Sequence, residues 1–291
     1  MSILKISDLR VEFKSGFHTI PVLRGVNLSV SAGEVCALVG ESGAGKSMVA
    51  KAILGLLPDS ARVQQGKIWF DDTDLLSLRQ RALSRLLGRR ISLIPQDPMV
   101  SLNPVRRIGL QMCDAICLHL KVDRAAARQA SLQLLDEVMI NDPERVFESY
   151  AHELSGGMRQ RVLIAMAFSC EPDLIIADEP TTALDVTVQM RVLLLLRAMQ
   201  RQKKTAVLFV THDLGVVSKI SDRVVVLYDG RVLEDSAVGT LFTKPTHAYT
   251  AALLEASPRY DRPDKPIMPV PKILISQLNA ETQQLDSVAY D

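Results

Sequence analysis

The sequence lacks the features of a membrane-spanning or secreted chain. Among its 291 residues no apolar run approaches the about 18–20 residues that a transmembrane helix needs. The first residues do not combine a basic segment, an apolar stretch and a cleavage site, so no secretory leader is indicated. The net charge of +1 provides no general attraction for nucleic acid or for an acidic surface. We therefore expect a cytosolic chain with no nucleic-acid partner.

Aromatic residues and cysteines are also scarce. Aromatics make up 4% of the residues and hydrophobic residues 47%, so Leu, Val, Ile and Ala supply most of the apolar surface. That composition is typical of parallel strands covered by helices on both faces. Cys113 and Cys117 share a helix face, but the second pair of ligands that a structural metal site needs is missing. We interpret both as packing residues.

Strand and helix patterns alternate along most of the chain. Val35–Val39 is a continuous apolar run that stops at Gly40, and helical spacing follows from Lys46 to Leu57. Further strand patterns, separated by helical ones, cover residues 91–94, 174–177, 206–210 and 224–228. This alternation predicts an α/β fold with a parallel, doubly wound sheet. Leu4–Phe13 and Val26–Val30 alternate apolar and polar residues, which predicts an additional antiparallel β subdomain.

Two composition shifts suggest the domain organisation. Residues 106–150 show only helical patterns, which predicts a helical subdomain inserted at about residues 98–157. After Ser257, five prolines fall between Pro258 and Pro271 and a polar end follows. We predict one domain over residues 1–256 and a proline-rich extension with little structure over residues 257–291.

A glycine-rich segment between the strand and the helix fits the phosphate-binding pattern G-x-x-x-x-G-K-[ST]. Glycines allow the backbone to approach phosphate closely, and successive N–H groups at the start of a helix attract anions. Lys46 can reach the β- and γ-phosphates, and the Ser47 hydroxyl can bind Mg²⁺. These residues do not distinguish ATP from GTP. The candidate nucleotide-binding residues are Gly40, Glu41, Ser42, Gly43, Ala44, Gly45, Lys46, Ser47 and Met48.

Two acidic residues, Asp178 and Glu179, follow the predicted strand at residues 174–177. The carboxyl ends of parallel strands border the crevice where open α/β sheets bind ligands. Asp178 is placed to hold Mg²⁺ through water, and Glu179 to orient and deprotonate the attacking water. An alternative role as caps of the next helix does not account for two acids in tandem. We predict Glu179 as a catalytic residue.

Six motifs in a fixed order carry a resemblance to a known family. They are Gly40–Ser47, Gln96 after a strand, Leu154-Ser155-Gly156-Gly157-Met158, Asp178-Glu179, Ala183-Leu184-Asp185, and Thr211-His212-Asp213 after a strand. Together they resemble the nucleotide-binding subunit of an ABC transporter over about residues 1–256. The resemblance implies the ABC cassette variant of the P-loop NTPase fold, with ATP and Mg²⁺ as ligands.

The resemblance also implies roles for individual residues. Gln96 would sense the γ-phosphate or Mg²⁺, His212 would contact the γ-phosphate, and Asp185 would lie at a dimer interface. In this family an aromatic residue before the phosphate loop stacks on adenine; Phe13 is the candidate and Phe17 the alternative. ATP held by the opposite subunit would be bound at a helix N-terminus by Ser155, Gly156 and Gly157.

Finer features resemble one subfamily. Gln96–Pro104 and Lys244–Thr250 are similar to stretches of the peptide and nickel importer ATPases. Met158 stands where the wider family has glutamine, and methionine there is typical of this subfamily. Many such relatives have a cysteine cluster in the C-terminal extension, but no cysteine follows Cys170, so no iron–sulfur cluster is expected.

The implied function is ATP hydrolysis that energises uptake of oligo- or dipeptides at the cytoplasmic face of the inner membrane. The implied partners are a second ABC ATPase subunit, identical or paralogous, two transmembrane permease subunits and, indirectly, an extracytoplasmic solute-binding protein. Nickel or another small solute is the alternative cargo. A soluble, non-transport ABC ATPase would usually carry tandem cassettes or a long coiled coil. A small-molecule kinase would not need Leu154–Met158.

Overall fold

The computed structural model describes residues 2–16, 18–182, 184–257 and 269–290. Two compact units are present; the first holds residues 31–34 and 77–209, and the second holds residues 2–30, 35–76 and the described residues from 210 onward. The strands are β1 (Ser2–Ser15), β2 (His18–Ser31), β3 (Val35–Val39), β4 (Ala61–Phe70), β5 (Thr73–Asp74), β6 (Ile91–Ile94), β7 (Leu174–Asp178), β8 (Ala206–Thr211), β9 (Arg223–Tyr228) and β10 (Arg231–Ala237).

The helices lie between these strands or after the last of them. They are α1 (Lys46–Leu54), α2 (Gln80–Leu86), α3 (Pro98–Ser101), α4 (Ile108–Leu120), α5 (Arg124–Glu137), α6 (Pro143–Glu148), α7 (Gly156–Phe168), α8 (Val186–Lys203), α9 (Leu214–Ile220), α10 (Val238–Thr243), α11 (Ala248–Ala256) and α12 (Lys272–Tyr290). The strands form both parallel and antiparallel pairs, and helices accompany them. The predicted α/β fold class is therefore confirmed.

In the second unit, the sheet with strand order β2-β1-β4-β5 forms the antiparallel β subdomain. β1 and β4 are antiparallel from Leu4 opposite Phe70 to Phe13 opposite Ala61. This pairing extends along most of β4, including its polar first half. The strands approach so closely at Gly66 that an added Cβ would lie 2.5 Å from the Asp8 carbonyl oxygen.

The parallel part of the second unit carries the glycine-rich loop. Strands β10, β9 and β3 follow one another in the sheet, and β3 runs parallel to β9. All five residues of β3 are buried, as the apolar run predicts. α1 ends at Leu54 rather than at the expected Leu57, because Gly55 adopts the left-handed conformation, with φ +64°, and caps the helix.

The first unit contains residues 206–209 of β8, followed in the sheet by β7 and β6, and β6 is parallel to β7. Between β6 and β7 the chain forms α3 to α7. α4, α5 and α6 pack against one another, where the sequence predicts an inserted helical subdomain. The buried residues Met112, Ile116 and Leu135 belong to this helical part.

The expected lack of structure in the C-terminal extension is wrong for residues 272–290, which form α12. Leu274, Ile275 and Leu278 pack against a buried cluster in the second unit that includes Tyr228 and Tyr249. The prediction failed because it followed the prolines of the C-terminal extension. The apolar residues by which α12 packs are few and do not stand out in the composition. Residues 258–268 lie outside the described residues, and the predicted domain boundary at 256/257 stays a prediction.

The cysteines, possible metal ligands and helix lengths can be located in the described residues. Cys113 is buried, with its sulfur 3.7 Å from the Ser131 hydroxyl oxygen, as expected for a packing residue, whereas Cys117 is half-buried. Within residues 2–16, 18–182, 184–257 and 269–290, no cluster of three or more His, Cys, Asp or Glu side chains could hold a metal ion. Over the same ranges, every helix is too short or too polar to cross a membrane.

Candidate nucleotide-binding and catalytic segments

The glycine-rich loop in the second unit has the backbone conformation of a phosphate cradle. Gly43 and Gly45 have φ angles of +87° and +101°, a region that L side chains rarely adopt. A Cβ added at Gly43 would meet no atom within 4 Å, so there is room for a ligand at this point of the loop. At Gly40, by contrast, an added Cβ would collide with the Leu227 carbonyl oxygen. Gly43 therefore provides open space, and Gly40 permits close packing.

Lys46 stabilises the curve of this loop. Its side chain is buried, and its ammonium group donates hydrogen bonds to the carbonyl oxygens of Gly40 at 2.8 Å and Glu41 at 2.9 Å. Ser47 and Met48 are half-buried in the first turn of α1, which contains no acidic residue. A buried cation next to a helix N-terminus free of acidic side chains suits an anionic group such as phosphate.

In the first unit, Glu179 directly follows β7 and contacts Gln96. Its Oε2 atom accepts hydrogen bonds from Thr182 Oγ1 at 2.9 Å and from Gln96 Nε2 at 3.3 Å. The backbone of Glu179 is left-handed, with φ +45°, which is uncommon for a residue other than glycine. Asp178, the last residue of β7, is half-buried like Glu179. Two neutral donors thus orient a carboxylate that sequence reasoning predicts as the base.

The Leu154–Met158 segment, also in the first unit, opens α7. Ser155 is the N-cap, as its residue type predicts, and its Oγ accepts a hydrogen bond from the Met158 N–H at 3.3 Å. Gly156 and Ser155 are exposed. A Cβ added at Gly157 would lie 2.7 Å from Cγ1 of Val188, so this glycine also permits the start of α7 to pack against α8, a role the sequence does not reveal.

The other predicted site residues lie in three separate parts of the chain. They are Asp185, His212 and Phe13. Asp185 caps α8, because its Oδ1 accepts a hydrogen bond from the Val188 N–H at 2.9 Å. His212 is exposed directly after β8. Phe13 is half-buried in β1, and its alternative, Phe17, lies outside the described residues. The adenine-stacking role of Phe13 stays a prediction.

The subfamily stretch Lys244–Thr250 is held by a residue that the sequence did not single out. Glu234 of β10 is 5% exposed, and its carboxylate accepts hydrogen bonds from the backbone N–H groups of Thr246 and His247, each at 3.0 Å. Burial alone would raise the pKa of Glu234, but these N–H donors, together with the side chains of Thr246 and Thr250, outweigh it and lower the pKa. The charged form of Glu234 therefore fixes the start of α11.

α11 in turn places Tyr249 close to the phosphate loop. Tyr249 is fully buried and meets the Tyr228 ring edge-on, with 4.7 Å between the ring centroids. Burial raises the pKa of Tyr249, and the negative charge of Glu41 in the loop raises it further. The Lys244–Thr250 stretch thus contributes to the packing behind the nucleotide loop.

Known proteins are similar to this chain in sequence and fold. A sequence profile described as "ABC transporter" matches residues 23–182. The chain is 47% identical to the probable peptide ABC transporter ATP-binding protein y4tR of Sinorhizobium fredii, over 88% of this chain and 77% of that protein. It is 46% identical to the probable D,D-dipeptide transport ATP-binding protein DdpD of Escherichia coli, over 92% of this chain and 82% of that protein.

Solved structures agree with the sequence relatives. The ATP-binding cassette MJ0796, a dimer bound to ADP and Pi in a post-hydrolysis state, matches with a TM-score of 0.72 and 26% identity, over 81% of this chain and 98% of that one. The cbiO1 protein of Clostridium perfringens matches with a TM-score of 0.71 and 27% identity, over 84% of this chain and 91% of that one. The chain therefore belongs to the ABC transporter family. It is an ATP-binding subunit whose activity is ATP hydrolysis coupled to transport.

Proposed function

We propose that this chain energises the import of di- or oligopeptides from the cytoplasmic face of the membrane. Its partners are a second ATPase subunit, two permease subunits and, indirectly, an extracytoplasmic solute-binding protein. The proposal rests on a chain that has an open phosphate loop and an oriented carboxylate at the end of a strand. This chain is 43–47% identical to ATP-binding proteins named for peptide, dipeptide and oligopeptide transport.

ATP binds with its phosphates at the Gly40–Ser47 loop. The buried Lys46 ammonium contacts two carbonyl oxygens of the loop and exchanges these acceptors for phosphate oxygens. Ser47, Gln96 and Asp178 are the proposed Mg²⁺ ligands, because each offers the oxygen donor that Mg²⁺ prefers. The ion would supply positive charge that neutralises the phosphate oxygens.

Hydrolysis depends on Glu179, which accepts the proton of the attacking water. Hydrogen bonds from Gln96 and Thr182 to Oε2 fix the orientation of this carboxylate, which acts as the general base. His212, exposed after β8, contacts the γ-phosphate and stabilises charge on it in the transition state.

Each ATP is shared between two subunits. The exposed N-terminus of α7, with Ser155, Gly156 and Gly157, binds the γ-phosphate of ATP held by the partner's phosphate loop, and Asp185 lies at the same interface. The dimeric state of MJ0796 supports this arrangement. The partner is a second copy of this chain or a paralogue.

Uptake in cells that lack this chain tests the proposal. Cells complemented with the unmodified chain should accumulate radiolabelled di- and tripeptides, and cells complemented with Lys46→Ala should not. Lys51→Ala, a basic residue at the exposed end of α1, is the matched control and should restore uptake. Restored uptake of nickel without peptide uptake would overturn the cargo assignment, and full uptake with Lys46→Ala would overturn the role of the phosphate loop.

A further inference from the structure

A cavity of about 470 Å³ in the second unit connects the phosphate loop with α12. Residues 41–44 of the loop form part of its lining, and α12 contributes Asn279, Thr282, Gln283 and Asp286. The C-terminal helix therefore borders the space next to the loop that receives the nucleotide phosphates.

α12 is docked by apolar and polar contacts. Leu278 is 4% exposed within the cluster that contains Tyr228 and Tyr249, and Thr282, one turn later, is 3% exposed. The Tyr228 hydroxyl donates a hydrogen bond to Oδ1 of Asn279 at 2.8 Å. Arg24 Nε donates to both carboxylate oxygens of Asp286, at 3.1 and 3.0 Å. These contacts join a helix at the end of the chain to β2 and β9.

The ionisable side chains that line this cavity are mostly acidic. Arg24 is 12% exposed and also donates to Asp229, at 2.7 Å to its carbonyl oxygen and 2.8 Å to Oδ1. One guanidinium group thus serves two carboxylates, and Glu41 adds a third carboxylate to the lining. The cavity therefore has an excess of negative charge, which opposes the entry of a polyanionic triphosphate.

We propose that α12 is an autoinhibitory strap. While it is docked, Asp286 adds negative charge next to the phosphate loop and occupies Arg24, so the affinity for ATP is lowered. When α12 leaves, Asp286 leaves with it and Arg24 keeps its contact with Asp229. Because coupling between two binding events is reciprocal, ATP weakens the docking of α12 by the same factor. The inference rests on ATP binding at the Gly40–Ser47 loop, as proposed above.

Nucleotide affinity of the full chain tests the strap. In a Glu179→Gln background, which prevents hydrolysis, Asp286→Asn should lower the Kd for ATP by about fivefold, the lower end of typical coupling between sites. Glu281→Gln is the matched control, since it removes the same charge from an exposed position of α12 and should leave the Kd unchanged. The effect of Asp286→Asn should shrink at high salt, because screening weakens the repulsion.

A second variant separates docking from charge. Leu278→Ala leaves every charge in place but weakens the apolar contact of α12, so it should also lower the Kd for ATP. A Kd unchanged in both Asp286→Asn and Leu278→Ala would overturn the strap. If the parent chain itself fails to bind ATP, the proposed phosphate site fails instead, so the two failures are distinguishable.

Hydrogen exchange gives an independent readout. ATP should increase the exchange of the α12 backbone amides in the Glu179→Gln chain, and it should have no effect in a chain that also carries Lys46→Ala. Unchanged or slower exchange of α12 in the presence of saturating ATP would contradict the reciprocal coupling and overturn the proposal.

Discussion

Gln96 Nε2 lies 3.3 Å from Oε2 of Glu179 and donates a hydrogen bond to it, although the two residues are 83 positions apart in the sequence. Gln96 follows β6, and Glu179 follows the neighbouring parallel strand β7. The register of these two strands therefore brings a residue from the start of the helical insertion to the candidate base. A displacement of Gln96 removes one of the two side-chain donors that orient Glu179.

Glu179→Gln should abolish turnover and preserve ATP binding. The amide has nearly the shape of the carboxylate but does not accept a proton, so the ATPase rate should fall by about 100-fold or more. Glu171→Gln is a matched control, because Glu171 also has a left-handed backbone, with φ +49°, in the same unit. Steady-state phosphate release and equilibrium nucleotide binding measure the two effects. Near-normal phosphate release by Glu179→Gln would contradict the assignment of the base.

Ser155→Ala should reduce both stability and ATPase activity. It removes the side-chain acceptor of the Met158 N–H, which we expect to lower the free energy of unfolding by about 1 kcal/mol. Asp123→Ala removes the equivalent cap of α5, where Oδ1 accepts from the Ala126 N–H at 2.8 Å. Both variants should show similar shifts in urea unfolding, but only Ser155→Ala should lose ATPase activity. Equal activity in the two would leave Ser155 with a capping role alone.

Gly230→Ala should destabilise the second unit. Gly230 has φ +75°, and an added Cβ would collide with the Val22 carbonyl oxygen. We expect the free energy of unfolding to fall by more than about 2 kcal/mol. Gly239→Ala in α10, where an added Cβ meets nothing within 4 Å, should instead gain about 0.5–1 kcal/mol. Thermal unfolding of the two variants measures the contrast, and a Gly230→Ala midpoint equal to that of the unmodified chain would refute it.

Glu234→Gln should lower stability in a pH-dependent way. The pKa of Glu234 is lowered in the folded chain, so its contribution is complete above the ordinary pKa of about 4.5 and is lost as the pH falls through the folded value. The variant should therefore be less stable by about 1–3 kcal/mol at pH 7, because it loses charged hydrogen bonds, and this difference should shrink below pH 4. Glu255→Gln, at an exposed position of α11, should show no such difference. Urea unfolding between pH 3 and 7 is the measurement.

The sequence predicts local features of this chain well. The apolar run of β3, the glycines after it and the helical spacing of α1 are adjacent, so one segment contains the strand, the loop and the helix. The N-cap role of Ser155 also depends on a few consecutive residues. These features need no knowledge of distant contacts.

Features that depend on distant residues were not predictable from the pattern. β4 includes the polar residues 61–66 because β1 pairs with them. The contact of Gly157 with Val188, and the backbone hydrogen bonds to Glu234, need the packed structure to be seen. α12 was missed for the same reason, since Leu278 becomes buried only against residues of other elements.

The packing behind the phosphate loop has a consequence for biosynthesis. Gly40 lies against the Leu227 carbonyl, and the Gly230 N–H donates to the Ala44 carbonyl at 2.9 Å, so the turn between β9 and β10 supports the loop from behind. Residues 40–47 leave the ribosome long before residues 227–230 do. A nascent chain should therefore carry the complete loop sequence without a stable nucleotide site, and ATP should become able to assist its folding only late in translation.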